Sequence, residues 1–93
     1  MFRARHLLAL NAEPATRALL SERCYATAHA ALLAGDDRAA LQLFSALLVL
    51  APRDARGWCG LALCSERRGL EEAARGLLEL AATLASDQEG ILQ

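Results

Sequence analysis

Three cysteines, two histidines and two pairs of adjacent carboxylates are the side chains in this chain that could do chemistry. Cys24, Cys59 and Cys64 could be nucleophiles or metal ligands. A zinc site needs about four Cys or His ligands at short spacings. Cys59 and Cys64 are five positions apart, off one helical face, and neither His6 nor His29 is clustered with them. A Cys59–His29 nucleophile pair needs an oriented third group and an activated thiolate, and no such group is evident. Asp36-Asp37 and Glu71-Glu72 each follow a glycine turn, where carboxylates cap a helix and oppose its dipole. Gly57-Trp58-Cys59-Gly60 has no Lys-Ser/Thr and no preceding strand, so it is not a phosphate loop. Arg67-Arg68 reads as a solvated helix end. We expect no catalytic residue, no metal and no cofactor, and a protein that is not an enzyme.

The bulk composition points the same way. Net charge is −1 with both signs interspersed, which argues against a nucleic-acid footprint or a polybasic membrane patch. The odd cysteine count fits reduced thiols and a cytoplasmic setting. The longest apolar run, Ala39 to Ala51, is broken by Gln42 and Ser45 and is shorter than the roughly 20 residues of a bilayer span. Arg3 and Arg5 precede Leu7-Leu8-Ala9-Leu10 without a full signal-peptide apolar region behind them. Of the 93 residues, 55% are hydrophobic but only 4% aromatic, and most of the apolar content is Ala and Leu. These are the best apolar helix formers. An all-α domain follows.

Breakers divide that domain into helices. Met1 to Leu10 can form a short amphipathic helix through Phe2, Leu7 and Leu10. Pro14 suits the first turn of a helix over Ala15 to Ala34, which Gly35 ends. Further helices are expected over Arg38 to Leu50, Ala55 to Arg68, and Glu71 to Leu84 or Ala85. Pro52, Asp54 and Gly69 mark their boundaries. Gly60, inside the third of these four, is expected to permit close helix contact.

Shifting the chain by 34 residues brings Ala28 onto Ala62, Gly35 onto Gly69 and Ala40 onto Ala74. The same shift puts Leu43 on Leu77, Phe44 on Leu78 and Leu50 on Leu84. Small and apolar residues and turn glycines recur while the surface drifts, as in stacked helical hairpins. The period is that of the tetratricopeptide repeat (TPR), and the pattern is divided between the copies. Trp58-x2-Leu61-Ala62 and Ala74-x3-Leu78 belong to one, Ala40-x3-Phe44 and Pro52 to the other. The expected domain spans 1–93, with repeat one at about 21–54 and repeat two at about 55–86. Phe44 and Leu78 are read as larger plugs beside the small positions.

In such a hairpin the first helix of each repeat lines a concave groove. Steps of three and four give Glu22, Tyr25, His29 and Leu32 in the first repeat, and Arg56, Cys59, Leu63 and Glu66 in the second. Apolar pockets with a few polar groups suit an extended peptide, and Tyr25 is the expected anchor. Two repeats leave an end face open, so Leu77, Leu80, Leu84 and Ile91 are candidates for an exposed apolar edge that binds a partner.

The stretch Gly35-Asp-Asp-Arg-Ala-Ala-Leu-Gln-Leu-Phe44, continuing through Pro52-Arg-Asp-Ala-Arg-Gly-Trp58-Cys-Gly-Leu-Ala-Leu-Cys64 to Gly69, resembles the TPR-type chaperones of bacterial type III secretion systems. The resemblance covers about Tyr25 to Ala85. Ser65 stands where Tyr is usual, Ser86 where Pro is usual, and Cys24-x2-Thr27 in place of Trp-x2-Leu. The resemblance implies a cytoplasmic chaperone that keeps an aggregation-prone secreted subunit soluble. Translocator chaperones of this kind usually have three repeats and a longer N-terminal region. Needle-subunit co-chaperones are similar in size to this chain, work with a small helical partner and sequester the needle protein's C-terminal helix. The expected partner is therefore a needle or translocator subunit, with no nucleic acid and no membrane insertion. The alternative is a general TPR adaptor that binds a short peptide motif.

Overall fold

The helix boundaries follow from their capping residues. The computed structural model describes residues 13–92, and side chains as far as Asp87. Its helices are α1 (Pro14–Leu33), α2 (Asp37–Leu50), α3 (Ala55–Arg67) and α4 (Glu71–Leu92). Pro14 opens α1, where its missing N–H leaves no bond unmade. Asp36 caps α2 by accepting from the Ala39 amide at 3.2 Å. Asp54 caps α3 by accepting from the Arg56 amide at 3.0 Å. The helix and Ile91 side chain expected from residues 1–10 and 91 lie outside the described residues and side chains. Among the described residues no helix is long and apolar enough to cross a membrane.

The two hairpin turns are one structure built twice. Gly35 and Gly69 have φ of 81° and 78°, a conformation that disfavours any residue with a Cβ. The Gly35 amide donates to Leu32 and the Asp36 amide to Ala31; 34 residues on, Gly69 donates to Glu66 and Leu70 to Ser65. Each is a Schellman closure, satisfying carbonyls that the helix end leaves unpaired. The α2–α3 connection differs. Trp58 Nε1 donates to the Pro52 carbonyl at 2.9 Å and braces the bend.

α1 packs on α2, α3 on α4, and α2 on α3, while α1 touches α3; α4 meets neither α1 nor α2. Each hairpin thus contacts its neighbour through one inner seam. The core lies at that seam and comprises Ala28, Leu32, Ala40, Phe44, Leu47 and Cys64. Ala62, Ala74 and Ala81 are buried farther along, Ala74 and Ala81 on α4. Cys24 fixes α1 to α2 by donating its thiol to the Leu43 carbonyl at 3.0 Å. Arg67 bonds Asp37 and joins the end of α3 to the start of α2.

Two readings are corrected. The last helix does not stop at Leu84 or Ala85 but runs to Leu92, because Ser86 and Asp87 are tolerated on an exposed helical face. Leu78 is not a buried plug: it is 43% exposed, against 1% for Phe44 at the matching position. α3 covers Phe44, and among the described residues nothing covers Leu78 in the same way.

Gly60 is where the seam is tightest. A Cβ placed on it lies 2.1 Å from Phe44 Cδ1 and 2.2 Å from Cε1. Phe44 is buried and cannot swing clear. Gly76, in α4, has nothing within 4 Å of the same construction. Gly60→Ala is therefore expected to destabilise by about 1–3 kcal/mol through overpacking, although alanine is the better helix former. Gly76→Ala is expected to stabilise by about 1 kcal/mol. Urea unfolding of the two variants checks this; equal shifts of one sign refute the role of the Gly60–Phe44 contact.

Candidate functional site

α1 and α3 run past each other with a cleft between them. Tyr25, His29 and Leu32 occupy one face of α1 at steps of four and three. Ala55, Arg56, Cys59 and Leu63 face them from α3, with Gly60 and Phe44 at the base. The cleft holds about 290 Å³ and its walls are mainly apolar. That volume sits at the bottom of the usual small-molecule range of roughly 300–1,000 Å³ and admits one or two side chains of a larger ligand. A larger depression of about 520 Å³ lies over the turn at Ala51–Asp54, but it is a broad, open surface hollow lined about equally by polar and apolar groups.

The cleft exists because of two side-chain choices. Gly60 lets α3 settle on the Phe44 ring, which then forms the floor. Tyr25 packs edge-on to that ring, with centroids 6.4 Å apart and planes at 66°. His29 stacks on Tyr25 at 5.9 Å and 24°. The aromatic residues form a continuous file from floor to rim, in geometries that favour the ring quadrupoles.

Arg56 organises the rim. Its guanidinium pairs with Glu22 at 2.7 Å and with Asp54 at 2.7 Å, and it lies 4.4 Å above the Tyr25 ring. Glu22 and Arg56 are 34 residues apart, so the bridge joins the same position in successive hairpins. The side-chain hydrogen bond from Arg56 holds both the Glu22 and the Asp54 carboxyls below the ordinary carboxylate range. The guanidinium is held charged by the same bonds, those to Asp54 first. Two carboxylates flank the one guanidinium. Each of the three guanidinium nitrogens of Arg56 donates to Glu22 or Asp54, so its role here is to position Tyr25 and the helix start.

Of the eight expected groove residues, six surround the cleft, Tyr25, His29, Leu32, Arg56, Cys59 and Leu63, and Glu22 reaches its rim through the bridge to Arg56. Glu66 does not. It lines a separate hollow with Glu71, Arg75 and Leu78. A three-residue step from Leu63 falls short of a 3.6-residue turn, and this drift carries Glu66 toward the α4 side. The expected end edge is also redrawn. Leu77 and Leu84 are half-buried, Leu80 is exposed, and Leu78 joins it. The cleft residues that sequence reasoning left out are Phe44 and Gly60. The 34-residue register marked both as packing positions, but it did not show that their contact opens onto the cleft.

The thiols have different settings. Cys64 is buried, and burial pushes its thiol above the ordinary range; Cys24 is raised for the same reason. Neither environment favours the thiolate that nucleophilic chemistry needs.

The rim makes stability depend on pH. Asp54 has a depressed folded-state pKa, so its contribution is fully present above the unfolded value near 4. It is lost as pH falls through the lower folded value. Asp54→Asn keeps an acceptor for the helix cap but loses the charge. The variant is expected to be less stable by about 1 kcal/mol at neutral pH, and the gap should close below about pH 4. Thermal unfolding across pH measures it; a gap that persists undiminished into acid refutes the ion-pair account. Comparison of the chain with protein-family models, curated proteins and solved structures finds no match.

Proposed function

We propose that the chain is a TPR-type binding scaffold acting as a type III secretion chaperone. On this reading it holds an aggregation-prone secreted subunit, of the needle or translocator class, in the cytoplasm until export. The observation that carries the reading is the apolar cleft between α1 and α3, floored by Phe44 and rimmed by Tyr25, His29, Cys59 and Leu63. It is shaped to receive protruding apolar side chains of an extended or helical protein segment. The 34-residue register and the resemblance over Tyr25 to Ala85 supply the class of partner. Leu63 is 45% exposed at the rim and offers contact area without being part of the core.

Co-expression with needle-subunit and translocator candidates tests the assignment. One of the two classes should co-purify, with or without a small helical co-chaperone. Leu63→Glu and Tyr25→Ala should each weaken the complex by about tenfold or more, while Leu63→Glu leaves the melting temperature nearly unchanged. Failure of both classes to co-purify removes the secretion reading. Binding of an unrelated short peptide in the same cleft then supports a general adaptor. Unchanged affinity in both variants removes the cleft assignment itself.

A further inference from the structure

Two exposed apolar faces lie on the first and last described helices. On α1, Leu19, Ala26, Ala30 and Leu33 share one face at steps of seven, four and three. All four are exposed, the leucines by 69% and 74%. On α4, Leu78 is exposed, and so is Ala82 one turn on.

The 34-residue register shows what each face corresponds to. Arg23, Ala26, Ala30 and Leu33 in α1 stand where α3 has Gly57, Gly60, Cys64 and Arg67. Leu78 and Ala82 in α4 stand where α2 has Phe44 and Leu48. Within the chain, Gly60 meets Phe44 and Gly57 meets Leu48 to form the α2–α3 contact. The α1 face therefore has the address of the surface that α3 buries, and the α4 face has the address of the surface that receives it.

We propose that copies of this chain associate head to tail, with α1 of one copy seated on α4 of the next, repeating the α2–α3 contact. The sizes of the matched residues carry the choice of a second copy as occupant. Inside the chain, glycine faces phenylalanine and glycine faces leucine. Between copies, Ala26 faces Leu78 and Arg23 faces Ala82. At the first pair the receiving plug shrinks from Phe to Leu as the opposing residue grows from Gly to Ala. At the second, Leu gives way to Ala as Gly gives way to Arg, whose apolar stem can lie across the small residue. The Asp37–Arg67 ion pair has no counterpart, because Leu33 stands opposite Glu71 in this register. Burial of apolar surface drives the contact, so added salt does not dissolve it. Such an interface is heterologous and leaves one face of each kind free at the ends of an assembly.

Sedimentation velocity of the full chain over a concentration series tests this, using Ala26→Glu and Leu78→Glu. Both sites are exposed, and circular dichroism checks that each variant is folded. The wild type is expected to rise to twice the single-chain mass or more as concentration increases, in low and high salt alike. Each variant alone should stay at the single-chain mass. An equimolar mixture should recover a dimer and nothing larger, since Ala26→Glu keeps an intact α4 face and Leu78→Glu an intact α1 face. A wild type that stays monomeric overturns the proposal. So does a dimer that survives in either variant, or a mixture that remains monomeric.

Discussion

The contact between Gly60 and Phe44 is the constraint on which the rest of the molecule depends. It sets how closely α3 approaches α2, and so where the second hairpin sits on the first. With Phe44 pinned beneath α3, α1 meets α3 at the same level, and the cleft between them acquires an aromatic floor. A side chain at Gly60 has no free space to enter. The helix accepts a residue of poor intrinsic propensity there because the packing gained is worth more than the roughly 1 kcal/mol lost.

The rim adds orientation more than stability. Arg56 gathers Glu22, Asp54 and the face of Tyr25 around one planar cation, but Glu22 is largely exposed. Exposed pairs contribute little to folding free energy. Their effect is to set the Arg56 cation over the Tyr25 ring, beside Phe44, and to fix the start of α3. A rigid, amphipathic ring at a cleft mouth loses little entropy when a ligand covers it. That gives the proposed binding role a physical basis that the core alone does not supply.

Much of the fold was legible because caps and turns are local. Gly35, Gly69, Asp36, Asp54 and Pro14 act within a few residues, and the structure uses each of them at the expected place. The small positions Ala28, Ala40, Ala62 and Ala74 were legible from the 34-residue shift, and all are buried. Leu78 and Glu66 were not. Leu78 matches Phe44 in type and register, yet its burial depends on a covering helix, which is not a property of its own segment. Glu66 was placed by helical spacing alone, and the accumulated rotation along α3 turned it toward α4.

By itself the sequence determined the all-helical class, the caps and turns between helices and the repeat register, because periodicity, capping and propensity are encoded within about one turn of each residue. It also determined which residues could share a cleft wall, since α1 and α3 each present a face by simple spacing. Only the tertiary structure decided that Phe44 and Gly60 form the floor, that Arg56 binds Glu22 and Asp54 over the Tyr25 ring, and that Leu78 faces outward. Those outcomes depend on the distance and rotation between helices, which arise from packing across the seam and are not set by any one helix.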